Sequence, residues 1–392
     1  MSRGRIRFLC FVLLALRIVA NFIPGEQYTF DNFIDDFSRD YKEGSEEYSK
    51  RKTIFSQNLD IVLSHNADSS KLWKRGINNF ADLTSEEFQM RKGFNRDMAR
   101  EYRRRIQTPV ELEGFAIVRN KTLPNTVDWR RKGVMTSVKD QGKCGSCWAF
   151  ATIQTIETYV AMNTGLLFTL SPQHLVSCAP NPLECGGGGA CSGSIAEVSF
   201  NYIQLSGITT EWLFPYEAYN RDTAYRETRC TWNSTAAPSK VTINGYRKLP
   251  SNDQYAVMSH LANVGPLVVN VESSWRDYHS GVFDGCSNQN SVDIDHTVQL
   301  VGYGTDPNGG DYWLIRNSWD VTWGEAGYIR LKRTTVPTCG YDFAPADGTG
   351  CKADGIQGLA PQRVCGTCGI LFDTAYPSGA KLFQKQPEVI IM

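Results

Sequence analysis

The chain has 392 residues with 41 basic and 41 acidic side chains, so its formal net charge is zero. That balance gives no sign of nucleic-acid binding. Hydrophobic residues at 41% suffice for a folded core, and the twelve cysteines and five histidines are where chemistry is to be sought.

In chain order, residues 3–7 carry three arginines, and Phe8 to Ala20 is apolar apart from Arg17. This reads as a secretory leader, too short and interrupted for a comfortable membrane span; a signal anchor is the alternative. A charged helical stretch follows. Glu47, Arg51, Phe55, Asn58, Val62 and Asn66 are spaced by four, four, three, four and four, which places them along one side of a helix. Beyond it come Gly76-x-Asn78-x-Phe80-x-Asp82 and an arginine-rich stretch, Arg91-Lys92, Arg100 and Arg103 to Arg105. The latter is read as a solvated charged face in preference to a processing site.

The most informative stretch is Gln141-Gly-Lys-Cys144-Gly-Ser-Cys147-Trp148-Ala-Phe150. Cys147 stands where a helix-forming run begins, and a thiolate there is favoured by the positive end of the helix dipole. Gln141, six residues upstream, can donate a side-chain N–H to an oxyanion. Taken alone, Cys144-x-x-Cys147 is equally a disulfide pair in a glycine-rich loop. Helical periodicity runs from Trp148 to Val160 and stops near Gly165, with further helical pieces around Gln173–Ser177 and Ile195–Gln204.

Beyond residue 240 the pattern turns to strands, over Leu267–Val271, Thr297–Tyr303, Asp311–Arg316 and Tyr328–Lys332. His296 opens one of them, and the next delivers Asn317 and Trp319. Adjacent strands can bring His296 and Asn317 side by side, where an amide oxygen fixes the imidazole's tautomer and orientation. His65, His174, His260 and His279 have no such orienting neighbour and read as structural or solvated.

On these residues the chain resembles a papain-family cysteine protease of the cathepsin L-like branch, in precursor form. His296 and Asn317 follow Cys147 by 149 and 170 residues. Leu123-Pro-Asn-Thr-Val-Asp-Trp129 is similar to the family's mature start, and Trp313 to Trp319 with Trp323-Gly-Glu-Ala-Gly-Tyr is similar to its closing block. The helix pattern from Glu47 to Asn66 resembles the interspersed motif of cathepsin L-like propeptides, with valine at 62 where isoleucine is commoner. Gly76 to Asp82 resembles their second motif.

The resemblance implies an α+β, papain-like fold of two lobes, one helical and one an antiparallel β lobe, behind a helical propeptide. It implies a signal peptide over 1–22, an inhibitory propeptide over 23–121 and a peptidase over 122–392. The helical lobe is expected over about 122–240 and the β lobe over about 241–392. The implied activity is that of an endopeptidase made as a zymogen. Cys147 is the nucleophile, His296 its base, Asn317 the orienter, Gln141 an oxyanion donor, and no cofactor or metal is required. An exopeptidase, a non-catalytic scaffold and a propeptide-type inhibitor are the alternatives; no occluding insertion near the cleft is evident.

By the same resemblance the substrate-binding residues are Gly193, Ser194, Ile195, Ala196, Asn270, Ile294, Asp295, Trp319, Trp323 and Asp373. Ser194 replaces a glycine of the usual pair. Asp373 puts an acid at the far end of a pocket that ordinarily prefers a bulky apolar residue. An acid there is poorly compensated unless it meets a basic group or water, so Arg or Lys should be tolerated at the second residue before the scissile bond, alongside Leu or Phe; Asp373 pointing to solvent is the alternative. Implied disulfides are Cys144–Cys191, Cys178–Cys230 and Cys286–Cys368. Cys185, Cys339, Cys351 and Cys365 remain, with three possible pairings. Three of them lie in a Gly/Pro-rich insertion over about 337–366, read as a stapled surface loop; a metal site is disfavoured because no histidine lies in or after it. Asn120 and Asn233 head glycosylation sequons. Expected partners are protein and peptide substrates, the chain's own propeptide and cystatin-type inhibitors, acting on a monomer. The expected location is the secretory pathway, in a lysosome-like compartment or outside the cell.

Overall fold

The computed structural model describes residues 22–25, 27–89, 91–92, 122–219, 229–286, 291–345, 348–351 and 360–383. Most of the expected leader, Asn120 and the arginines at 100 and 103–105 lie outside them. Phe22 exchanges main-chain hydrogen bonds with Ile77 and belongs structurally to the pro-region.

The pro-region forms helices α1 (Phe30–Asp36), α2 (Glu46–Ala67) and α3 (Ser85–Gln89). Thr29 caps α1 in a capping box with Asn32. Ser45 caps α2, and Glu46 and Glu47 in its first turn suit the helix dipole. Phe55 and Val62, on the buried side of α2, pack against Phe30, Phe33, Ile77 and Ala81 in a small core of their own. Strand β1 (Trp73–Arg75) lies between α2 and α3.

The peptidase region contains helices α4 (Cys147–Thr164), α5 (Pro172–Cys178), α6 (Ala196–Ser206) and α7 (Gln254–Asn263). Every residue of α4 from Cys147 to Ala161 is buried, including Glu157, which pairs with Lys139 at 3.1 Å, and Gly165 ends the helix in the left-handed conformation at φ 73°. The strands are β2 (Val127–Asp128), β3 (Val241–Thr242), β4 (Gly245–Lys248), β5 (Leu267–Val271), β6 (Tyr278–Phe283), β7 (His296–Asp306), β8 (Gly310–Arg316), β9 (Tyr328–Lys332), β10 (Cys339–Asp342), β11 (Gln362–Cys365), β12 (Thr374–Ser378) and β13 (Lys381–Leu382). The main sheet runs β1-β6-β9-β8-β7-β5-β12-β4, with β2 on β7. Its pairings are antiparallel, as expected of the β lobe, except the short one of β6 with β9.

α4 packs on β7, so the core is one cluster spanning Trp148, Ile153 and Ile156 of the helix and Val298, Leu300 and Ile315 of the sheet. At Gly302 the close approach of Val127 leaves no room for a Cβ, and the register of β7 against β8 shifts between Leu300 and Gly302. Five disulfides tie the region: Cys144–Cys191, Cys178–Cys230, Cys185–Cys351, Cys286–Cys368 and Cys339–Cys365. Cys147 is the free cysteine among the described residues.

Candidate active site

Cys147 is the first residue of α4, buried beneath the pro-region. His296 is the first residue of β7, and Asn317 directly follows β8. The antiparallel pairing of β7 with β8 brings these two together: His296 Nε2 donates to Asn317 Oδ1 at 2.9 Å. That oxygen also accepts from the Ser318 amide at 2.8 Å, which fixes the orientation of the Asn317 amide. Trp319 stacks over the His296 ring, centroids 4.9 Å apart, and shields this bond from water. His296 Nδ1 makes no hydrogen bond among the described residues and is the ring nitrogen left for a thiol.

Gln141 is held on three sides. Its amide nitrogen donates to Ser318 O at 2.9 Å, and its side-chain Oε1 accepts from Ser318 Oγ at 2.6 Å. Its Nε2 donates to Cys144 O at 2.9 Å and to the main-chain carbonyl of Arg91 at 2.6 Å. The next pro-region carbonyl, of Lys92, lies 3.8 Å from Cys147 Sγ. Lys92 Nζ pairs with Asp295 at 2.9 Å, and the Arg91 guanidinium lies over the Phe80 ring. Arg91 and Lys92 are therefore seated in the cleft, which corrects their reading as a solvated face. Sequence spacing carried no signal for this placement, which depends on where the folded pro-region docks.

Electrostatically the covered site is dormant. Burial pushes the Cys147 thiol up to about 11, against hydrogen bonds from Thr297 that favour the thiolate. Burial also pulls His296 down to about 4, despite the Asn317 hydrogen bond and the Asp295 charge. Between those values both groups are uncharged, because the propeptide excludes the water that would solvate an ion pair.

The propeptide motifs form its attachment. Arg51 meets Glu47 at 2.7 Å, both oxygens of Glu87 at 2.6 and 2.9 Å, and the Asp82 carbonyl at 2.9 Å. Asn58 donates to Ala81 O, and Asn66 exchanges hydrogen bonds with the Arg75 backbone. Asp82, fully buried, pairs with Arg39 at 3.1 Å and accepts from Tyr41 at 2.6 Å. Gly76 and Asn78 hydrogen-bond the peptidase at Asp277 O and Arg276 O, and Arg75 forms an ion pair with Asp277. Phe80 and Phe88 set their rings edge-on to Trp319, which itself packs on Trp323.

In the specificity region Gly193 adopts φ 87°, and Ser194, Ile195 and Ala196 are buried beside it at the start of α6. Asp373 is buried, with Oδ2 accepting from Asn270 at 2.9 Å and Oδ1 paired with Lys248 at 2.7 Å. Lys248 also meets Glu197 at 2.5 Å. An uncompensated acid is thus corrected to a compensated one, and the expected tolerance for Arg or Lys loses its basis. No local pattern signals this partner, since Lys248 comes from β4, far upstream of Asp373. Burial raises the Glu197 carboxyl, with the Asp373 charge adding to the effect. Asn270 Oδ1 accepts from Thr297 Oγ1 at 2.7 Å, which links this triad to the residue next to His296.

The cysteines whose pairing was open form Cys185–Cys351 and Cys339–Cys365. β10 and β11 make a hairpin at the base of the insertion, and its far side reaches Cys185 in the helical lobe. Asn233 is exposed, its Oδ1 accepting from the Thr235 amide. Among the described residues no cluster fit to hold a metal occurs, and no helix is long and apolar enough to cross a membrane.

Residues 123–346 match the family described as papain family cysteine protease, and residues 30–88 match the cathepsin propeptide inhibitor domain. The chain is 36% identical to cysteine endopeptidase Rep1 of Oryza sativa subsp. japonica over 84% of its length and 78% of the relative's. It is 34% identical to cathepsin L1 of Drosophila melanogaster over 85% and 87%. Similar solved structures include a recombinant stem bromelain precursor, at 28% identity and TM-score 0.67, covering 89% of this chain and 97% of that one. Digestive procathepsin L 3 of the Tenebrio molitor larval midgut gives 29% and 0.66 with the same coverage.

Proposed function

From the premise that the chain belongs to the papain family of cysteine proteases, a cysteine endopeptidase made as a zymogen and inhibited by its own propeptide, we propose how its residues divide the work. Once the propeptide leaves, water reaches the cleft and the Cys147 proton passes to His296 Nδ1. The thiolate at the N-terminus of α4 and the imidazolium then stabilise each other. The thiolate adds to a peptide carbonyl, and the oxyanion takes hydrogen bonds from Gln141 Nε2 and the Cys147 amide. The C–N bond breaks as His296 returns the proton to the leaving amine. Water, deprotonated by His296, then hydrolyses the thioester to a carboxylic acid and frees the thiol. Asn317 keeps Nε2 occupied, so that Nδ1 faces the sulfur.

The observation that supports this reading best is the Arg91 carbonyl, held at 2.6 Å by the donor assigned to the oxyanion, next to the Lys92 carbonyl at the sulfur. A main chain already rests where a substrate's would react. Its test is hydrolysis of peptides by acid-activated protein. Cys147→Ala abolishes turnover, and an epoxide thiol reagent labels Cys147 far faster after propeptide removal than before it. Turnover surviving in Cys147→Ala would end the proposal.

Cleavage near residue 122 separates propeptide from peptidase. Five disulfides and the arginine-led apolar leader support passage through the secretory pathway to an acidic or extracellular destination. The mature enzyme acts as a monomer on protein and peptide substrates, with cystatin-type inhibitors as its expected protein ligands.

A further inference from the structure

Ile195, at the start of α6, and Ile294, two residues before His296, stand on opposite lobes of the cleft. Gly348 of the insertion lies against Ile294. A Cβ on Gly348 would fall within the radius of the Ile294 carbonyl oxygen, so only glycine permits this approach. On the other side, a Cβ on Gly186 would sit 2.8 Å from both Gly348 O and Ile195 Cγ2. The Gly186 amide donates to Gly350 O at 2.8 Å, and Cys351 is disulfide-bonded to Cys185. Residues 348–351 thus cross from one lobe to the other and are fastened at the far end.

The near end is equally fixed. Cys339–Cys365 closes the hairpin base, Val292 donates to Tyr341 O at 3.0 Å, and Thr349 Oγ1 donates to Gln362 Oε1 at 2.9 Å. Val292, Ile294 and Val364 form a separate apolar cluster beneath this base. A surface loop needs neither a covalent bond to the opposite lobe nor backbone-to-backbone packing against the segment that leads into the catalytic histidine. Both features hold a short piece of main chain across the cleft at one depth.

We propose that residues 348–351 are a strap that closes the amino-terminal half of the substrate cleft, so that the enzyme preferentially cleaves chains with no more than two residues ahead of the scissile bond. The inference rests on the reading above that Ile195 and Ile294 receive the second residue before that bond. An extended substrate continuing further would run into Gly348 and would have to lift a strap pinned by a disulfide. The preferred substrates are therefore peptides and unfolded amino-terminal segments, and the enzyme trims them from that end. Internal cleavage of long chains proceeds at the slower rate that strap displacement allows.

The test is a ladder of quenched peptides sharing one cleavage sequence, with one, two, four or six residues ahead of the bond. It is run on the acid-activated enzyme, with the integrity of Cys185–Cys351 checked by mass spectrometry and active sites counted with the epoxide reagent. For the wild type, kcat/KM should fall by about tenfold or more between two and four residues. Cys185→Ser with Cys351→Ser should flatten the ladder to within about twofold while still cleaving the two-residue peptide, and Gly348→Val should alter its slope by displacing the strap from Ile294. A flat wild-type ladder overturns the proposal, as does an equal slope in wild type and variants. If the variants yield no titratable sites, the wild-type ladder alone decides. Failure of the protease reading looks different: neither peptide cleavage at any length nor epoxide labelling would occur.

Discussion

Lys92 Nζ lies 2.9 Å from the carboxylate of Asp295, which places an ion pair between propeptide and peptidase directly beside His296. Both side chains are largely buried, so the pair is weakly screened and leaves a lone charge if one partner goes. Lys92→Ala should weaken the closed state by about 1–2 kcal/mol, equivalent to roughly five- to thirtyfold faster epoxide labelling of Cys147 in the uncleaved zymogen. Unchanged labelling would show that this pair does not hold the pro-segment.

Acid should loosen the propeptide through Glu87. Burial would raise its carboxyl, but the Arg51 guanidinium and the Thr84 amide prevail and hold it below the ordinary 4.5. A carboxyl depressed in the folded state stabilises the fold above its unfolded value and loses that contribution as pH falls through the folded one. Glu87→Gln should therefore convert at higher pH, with a shallower acid dependence, in a series of conversion rates from about pH 3 to about pH 7. Asp82→Asn, which breaks the buried Arg39 pair, should also convert faster at every pH in the series. Wild-type behaviour in both variants would remove the motif from acid activation.

The thiol titrates differently before and after maturation. In the covered site it sits near 11 and His296 near 4, so zymogen alkylation should be slow and rise only in alkali. Rehydration of the cleft should lower the one and raise the other, extending iodoacetamide inactivation of the mature enzyme well into acid. Identical pH profiles for the two forms would contradict a dormant, uncharged pair.

Lys248 should set the charge of the specificity pocket. Burial alone would lower the Lys248 pKa, but Asp373 and Glu197 together raise it, so it remains charged. Wild type should favour Leu or Phe over Arg at the second residue before the bond. Lys248→Met leaves two carboxylates unpaired and should shift the Arg-to-Leu ratio of kcat/KM upward by about tenfold. A ratio that does not move would place the triad outside the pocket's reach.

Ser318 positions Gln141 from both sides. Ser318→Ala should lower kcat by about tenfold with little change in KM, because the lost anchor affects the oxyanion donor and not ground-state binding. Gln141→Ala should cost more, about a hundredfold. A change confined to KM in Ser318→Ala would make it a substrate contact.

The parts of the site readable in the sequence were those whose chemistry fixes a local pattern. Cys147 heads a helix marked by its apolar run, and His296 and Asn317 sit at the ends of strands whose alternation is plain. Helix α7 was missed although Asp253 caps it through the Ala256 amide and Val257, His260 and Leu261 give it a buried side. The polar residues between them obscured the period. What could not be read depended on residues far apart in the chain: Lys248 reaching Asp373, Arg91 entering the cleft, and Gly348 lying against Ile294. Each is a matter of docking after folding, which no local window of sequence encodes.

The pairing of β1 with β6 has a consequence for the enzyme after maturation. While the pro-region is present, Trp73, Lys74 and Arg75 cover one side of β6, and Gly281 lets the propeptide backbone approach closely. Once it is cut away, β6 becomes the outer strand of the sheet, with unsatisfied peptide groups and the aromatic faces of Phe283 and Trp319 newly bare. A molecule of the mature protease that opens must then close again with an adhesive edge exposed, so slow unfolding protects it.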